Sequence, residues 1–152
     1  MNLEIGKLGH TEKAPMDLLF KADPSIEMIE KYLYSGECYL AKMNDEVVGV
    51  FVLMPNNPQE MELKNISIVD QYQGQGIGKE IIKYVMRISK MEGYEYLVVK
   101  TADTSADTIK YYEKMKFEHY FVAKGHFLKY YSQPIIENGN QAIDQVAMRR
   151  KL

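Results

Sequence analysis

Apolar and polar residues alternate from Leu3 to Leu8, the two-residue period of a strand with one buried face. From Pro15 to Tyr34 the spacing is helical, broken at Asp23-Pro24 because the residue before a proline is driven out of the helical region. Ser25 then predicts a cap, with Ile26, Ile29 and Leu33 as the buried stripe of a second helix. Glu37 to Lys42 and Val47 to Met54 flank Asn44-Asp45-Glu46 and predict a hairpin, its second strand ended by Pro55-Asn56-Asn57-Pro58. Met61 to Ile68 predicts a further strand. After a glycine-rich turn, Ile77, Ile81, Val85 and Ile88 mark one face of a helix from about Ile77 to Glu92, closed at Gly93. Tyr96 to Thr101 is a short apolar run of the kind buried on both faces of a sheet. A helix opening at Asp103-Thr104-Ser105, capped by Thr104 or Ser105, runs to about Met115, and Phe117 to Ala123 is again a strand. His126 to Asn140 reads as irregular, and Ile143 to Met148 predicts a last strand. Three strands, then helix, strand, helix and strand, predict a mixed α/β fold with a crossover between the strands around Ile66 and Val98.

Size and charge narrow the picture. At 17.6 kDa, area scaling buries about 69% of the chain's surface, enough for one domain over residues 1–152 without a disulfide or structural metal. Nineteen basic against 21 acidic residues give a net charge of −2, a poor match to a phosphate backbone, so no nucleic-acid partner is expected and an RNA-binding role for the glycine turn is disfavoured. The longest apolar run, Val47 to Met54, is strand-sized, and Met1-Asn2-Leu3-Glu4 has neither the basic start nor the apolar stretch of a secretion signal. No membrane association is expected. The single cysteine, Cys38, cannot form an intrachain disulfide, which points to a reducing cytoplasm. His10, His119 and His126 lack metal-ligand spacing, and no metal is expected.

The segment Gln73-Gly74-Gln75-Gly76-Ile77-Gly78-Lys79 lies between a strand and a helix. Glycines there let backbone N–H groups approach a ligand, and the helix start adds orphan donors and the positive end of its dipole. Phosphate or pyrophosphate is the chemistry that suits such a cradle. A Walker loop needs four residues between glycine and Gly-Lys, followed by Ser or Thr; only three separate Gly74 from Gly78, and Glu80 follows Lys79. A dinucleotide fingerprint needs glycine where Lys79 stands, and no acidic residue ends a strand about 20 residues on. A bare tight turn is the plain alternative, but three glycines in five residues before an amphipathic helix are costly without a ligand.

Gln73-x-x-Gly76-x-Gly78 resembles the Q/R-x-x-G-x-G/A signature of the GNAT family of N-acetyltransferases. Glu62-Leu63 through Ile66-Ser67-Ile68 is similar to that family's fourth strand, and Ser105 through Tyr112-Glu113-Lys114-Met115-Lys116-Phe117 to its later helix. The resemblance covers most of the chain, is most specific between Glu62 and Phe117, and looks bacterial in its tail. It implies a mixed, mainly antiparallel central sheet of about six to seven strands flanked by about four helices. It also implies acetyl-CoA as cosubstrate and transfer of acetyl to a primary amine, on a small molecule or a protein. Main-chain groups of Ile66, Ser67 and Ile68 would pair with the pantetheine arm where the fourth strand bulges and splays from the fifth. Gln73, Gly74, Gln75, Gly76, Ile77, Gly78 and Lys79 would hold the pyrophosphate, and Ser105 would stand where the family has an asparagine touching the cofactor. Lys116 replaces the usual glycine before Phe117, which questions the turn ending that helix. A homodimer is a fair default.

The reaction needs a neutral amine, a stabilised oxyanion and a proton for the departing thiol. A main-chain N–H near Ile68 is the expected oxyanion donor, and Tyr112 the expected partner of the sulfur. Tyr112 also shares a helix face with Ile109, so plain core packing stays open for it. An ammonium near pKa 10 is only about 0.1% neutral at pH 7. Glu62 is the first candidate base, against a solvated or paired strand carboxylate, with Asp103 and His119 behind it. Lys100 stands where the family often has a further carboxylate. Cys38 lies in an apolar strand and reads as a packed thiol, so direct transfer in a ternary complex is expected. Asp17, Glu37 and Asp107 either favour a cationic acceptor or are plain solvated carboxylates, and Tyr120, Phe121, Phe127, Tyr130 and Tyr131 line its mouth, form a subunit interface or pack the core. The off-pattern Lys100, Ser105 and Lys116 keep a second class open: an acyl-CoA-binding sensor without catalysis.

Overall fold

A computed structural model describes residues 2–152. Seven strands form one sheet: β1 (Leu3–Lys7), β2 (Glu37–Met43), β3 (Glu46–Asn57), β4 (Glu60–Ile68), β5 (Tyr96–Ala102), β6 (Glu118–Ala123) and a last strand, Gln145–Lys151, called β9. β7 (Ile136–Glu137) and β8 (Asn140–Gln141) make a small separate hairpin. The order across the large sheet is β1-β2-β3-β4-β5-β9-β6, antiparallel at every step except the parallel β4–β5 pair. The helix between those two strands, α3 (Ile77–Met91), is the crossover that a parallel pair requires.

Alternation along the central strands feeds two cores. Val50 and Val52 of β3 face α1 (Met16–Ala22) and α2 (Ile26–Ser35), packing with Leu19, Ile29 and Tyr32. Phe51 and Leu53 point to the other face, where Ile77, Ile81, Ile82 and Val85 of α3 and Tyr112 of α4 (Ala106–Lys114) close over them. The stripe read from the sequence of α3 is therefore the one that packs. No helix among the described residues is long and apolar enough to cross a membrane.

Three boundaries differ from expectation. Pro55-Asn56-Asn57 does not end β3: the strand continues to Asn57, and Pro58-Gln59 is the turn, with Asn57 Oδ1 accepting the N–H groups of Gln59 and Glu60 at 2.9 Å. Proline is tolerated there because β2 pairs with β3 only as far as Leu53 and the pairing skips from Pro55 to Asn57. The supposedly irregular stretch after β6 contains α5 (His126–Tyr130) and the β7–β8 hairpin, turned by Asn138 and Gly139 at φ 53° and 77°. The last strand runs Gln145–Lys151 rather than Ile143 to Met148, because β5 and β6 zip onto it through Lys151 and Arg149 respectively.

The accessible surface, 9121 Å², exceeds the roughly 7,900 Å² that scaling gives for this mass. The sheet itself is cleft. β4 pairs with β5 from Glu60↔Tyr96 to Leu63↔Val99 and no further. Just there the β3 register jumps, Val52 opposing Asn65 and Leu53 opposing Leu63, so Lys64 is the extra residue of a bulge. Beyond it β4 bends off with β3 while β5 stays zipped to β9 as far as Ala102.

Candidate active site

The parting of β4 and β5 leaves the edge of β4 unpaired from the bulge to Ile68. The Val69 N–H donates to the Val48 carbonyl at 2.9 Å, so by the two-residue period Ser67 also turns its main chain to β3. The N–H groups of Ile66 and Ile68 consequently face the opening. Of the three residues expected to pair with pantetheine, Ile66 and Ile68 present main chain to the opening and Ser67 does not; all three line a cavity of about 450 Å³ with Gly78, Ile82 and Tyr112. The bulge sits at Lys64, farther from Ile68 than an oxyanion donor there would suggest.

That cavity continues along Ile68, Gln73, Gly78 and Tyr111 into a second, of about 340 Å³, formed by Gly74, Gly76, Ile77 and Lys79 at the start of α3. The two helix starts contrast. α2 is capped by Ser25, whose Oγ accepts the Met28 N–H at 3.3 Å; α3 begins at Gly76, φ 85°, with no side-chain cap. Its first intrahelical bond is Glu80 N–H to the Gly76 carbonyl, so the N–H groups of Ile77, Gly78 and Lys79 have no acceptor within the helix. Gly74 also holds a positive φ, 76°. A Cβ on Gly78 would meet only the Tyr111 hydroxyl, at 3.7 Å, which leaves the space above the helix start to a ligand. Gln73 braces this loop, donating to the Ile68 carbonyl at 3.2 Å and to Asp70 Oδ1 at 3.3 Å, while Gln75 bonds the Gln71 carbonyl at 3.4 Å. An extended thioester arm followed by a diphosphate fits this path.

Tyr112 belongs both to the core and to the wall of the groove. It packs edge-on against Phe117, 5.3 Å between ring centroids, and lines the larger cavity. Burial, and secondarily the neighbouring Tyr111, pushes its phenol well above the usual value.

Across the opening lies a cavity of about 300 Å³. Lys64 and Lys100 reach it from the two parted strands, and Glu62, 3% exposed, sits between their ammonium groups at 3.4 and 3.0 Å. The Lys100 contact is an ion pair without hydrogen-bond alignment. That geometry opposes the base role expected for Glu62, whose oxygens both face cations. Ser105, expected at the cofactor, lines this far cavity instead: its hydroxyl donates to Glu137 Oε1 at 2.6 Å, beside Thr104 at 3.0 Å, and caps no helix N–H. Asp103 is spent on the Ile143 N–H, and His119 lies 3.1 Å from Glu113 on an exposed surface. Burial raises the Cys38 thiol to about 11, consistent with an inert packed side chain.

Sequence reasoning missed Asp23, Lys64, His126 and Glu137. Asp23 accepts the hydroxyls of Tyr32 at 2.9 Å and Tyr131 at 2.7 Å, and Asn65 donates to Tyr32 at 2.9 Å. Burial, Lys100 and Lys64 together lower His126 below the ordinary imidazole range. Phe127 and Tyr131 line the far cavity, whereas Tyr120 and Phe121 are exposed on β6.

A strand edge opened by a bulge, leading to an uncapped glycine-rich helix start, defines a groove suited to an extended ligand that ends in phosphate groups. Residues 10–117 match the model of the Acetyltransferase (GNAT) family. The uncharacterized N-acetyltransferase YvbK of Bacillus subtilis is 33% identical over 148 residues, 97% of this chain and 94% of that protein. A GNAT family acetyltransferase from Elizabethkingia anophelis, solved with acetyl-CoA bound, superposes with a TM-score of 0.96 at 38% identity over 99% of both chains. A Bacillus subtilis acetyltransferase in complex with CoA superposes at 0.90 with 33% identity, again over 99% of both. The chain belongs to the GNAT acetyltransferase family. It is an N-acetyltransferase, and acetyl-CoA is its cosubstrate.

Proposed function

We propose that residues 1–152 act as one domain that transfers acetyl directly to a primary amine bound in the far cavity, with both substrates present together. The observation that carries this reading is the single opening between β4 and β5, with the cofactor groove on one side and the far cavity on the other; Lys21 and Ala22 line both. Bound acetyl-CoA supplies an activated carbonyl: the amine nitrogen forms the new C–N bond, the C–S bond breaks, one proton ends on the thiol and one in solvent.

This chain's residues arrange that exchange. The free N–H groups of Ile66 and Ile68 offer donors to carbonyl oxygen as charge develops on it. The amides of Ile77, Gly78 and Lys79, with Gly74 and Gly76 giving close approach, hold the pyrophosphate. Tyr112, kept protonated by burial, donates a hydrogen bond to the departing sulfur. With Glu62 held between two lysines, the ammonium loses its proton to water. The lone, packed Cys38 speaks for direct transfer and for a reducing, cytoplasmic setting, and the relatives at 33–38% identity support a bacterial origin.

Calorimetric titration with acetyl-CoA tests the cofactor half. Gly78→Asp is the variant of choice, since its Cβ meets no backbone and the added carboxylate stands where the pyrophosphate would. We expect micromolar binding to the wild type and none to the variant; equal binding by both would overturn the placement. Thiol release with a panel of primary amines tests the transfer half.

A further inference from the structure

The far cavity sorts its charges. Lys64 and Lys100 share one carboxylate, Glu62, and so leave about one positive charge uncompensated at the mouth of the opening. Lys21, which also lines the cavity, is taken by Asp70. Asp23 and Glu137 are held the other way. Each accepts two hydroxyls, from Tyr32 and Tyr131 or from Thr104 and Ser105, and among the described residues neither makes an ion pair. Neutral donors orient these carboxylates without cancelling their charge. One cavity therefore presents a cationic corner and two fixed anionic groups.

Resting on the acetyl-transfer reading above, we propose that the acceptor is a small amine bearing its own carboxylate, an α-amino-acid-like zwitterion. Its carboxylate lies against Lys64 and Lys100, and its ammonium is drawn into the field of Asp23 and Glu137 before losing its proton. The two lysines directly follow the last β4–β5 pair, Leu63↔Val99, where the strands part. A carboxylate held there leaves an amine one carbon away beside the opening, whereas a polyamine would meet two ammonium groups at that point. A cavity of about 300 Å³, walled by Phe127 and Tyr131, suits a molecule of amino-acid size better than a folded protein surface.

The test uses matched acceptors with the wild-type protein and acetyl-CoA, reading thiol release. Each free amino acid is compared with its amide and its decarboxylated amine, beside spermidine. We expect the free acids to be favoured in kcat/KM by about tenfold or more, the scale of one charge-assisted contact. Lys100→Met should raise KM for the acid and erase its advantage over the amide, while acetyl-CoA affinity, read by calorimetry, stays as in wild type. Lys100→Arg should restore much of the preference, which a purely structural role would not require. Equal turnover of acid, amide and decarboxylated amine, or a preference for spermidine, would overturn the zwitterion while leaving acetyl transfer intact. Bound acetyl-CoA with no thiol released by any amine would overturn both.

Discussion

At the scale of single residues, Tyr112 is the side chain whose environment most constrains its chemistry. The residue is 7% exposed and its phenol is pushed upward by burial and by Tyr111, so it stays protonated through any ordinary assay pH. The sign follows directly: a raised pKa means that a proton donor is lost only at high pH. Over about pH 6 to 9 the kcat profile should show no falling limb from this group. Tyr112→Phe should lower kcat about 10²-fold with acetyl-CoA affinity unchanged; a phenylalanine variant as fast as the parent would leave Tyr112 as core packing alone. Residue identity made Tyr112 and the glycines visible in the chain. The pairing of Glu62 with Lys64 and Lys100 was not visible, because it depends on two strands parting at one register.

Among the elements, α4 shows how a local rule can be broken and the fold kept. Lys116 takes φ 70° and still closes the helix: the N–H of Phe117 bonds the Tyr112 carbonyl and that of Lys116 the Glu113 carbonyl, both at 3.0 Å. The sequence cast doubt on this turn; Phe117, 3% exposed and packed on Tyr112, holds it in place. A left-handed lysine is strained, so Lys116→Gly should raise unfolding free energy by about 0.5–1 kcal/mol in urea titration, without changing kcat. A loss of stability would show that the lysine side chain contributes more than its backbone costs. The hairpin β7–β8 had a legible signal in Asn138-Gly139, but two-residue strands are too short to show a period. Its consequence, Glu137 beneath Ser105 and Thr104, belongs to tertiary structure.

For the whole molecule, the cleft proposed to admit the cofactor is also the sheet's missing stretch of pairing. Occupation of the β4 edge should stabilise the fold by mass action. At acetyl-CoA about 100-fold above its dissociation constant the gain is about 2.7 kcal/mol, which for this size raises the melting temperature by roughly 5–10 °C. Differential scanning calorimetry should show that shift, and Gly78→Asp should abolish it. Apart from α5 and the β7–β8 hairpin, the element order, the crossover between β4 and β5 and the glycine-rich turn were all determined by the sequence itself, because hydrophobic period, proline and glycine act within a few residues of where they stand. Tertiary structure alone decided which charges meet. Only once the Lys64 bulge turns β4 away do Lys100, Asp23 and Glu137, far apart in the chain, come to surround one cavity. Charge acts through space rather than along the chain, and that space exists only after the sheet has closed on one side and opened on the other.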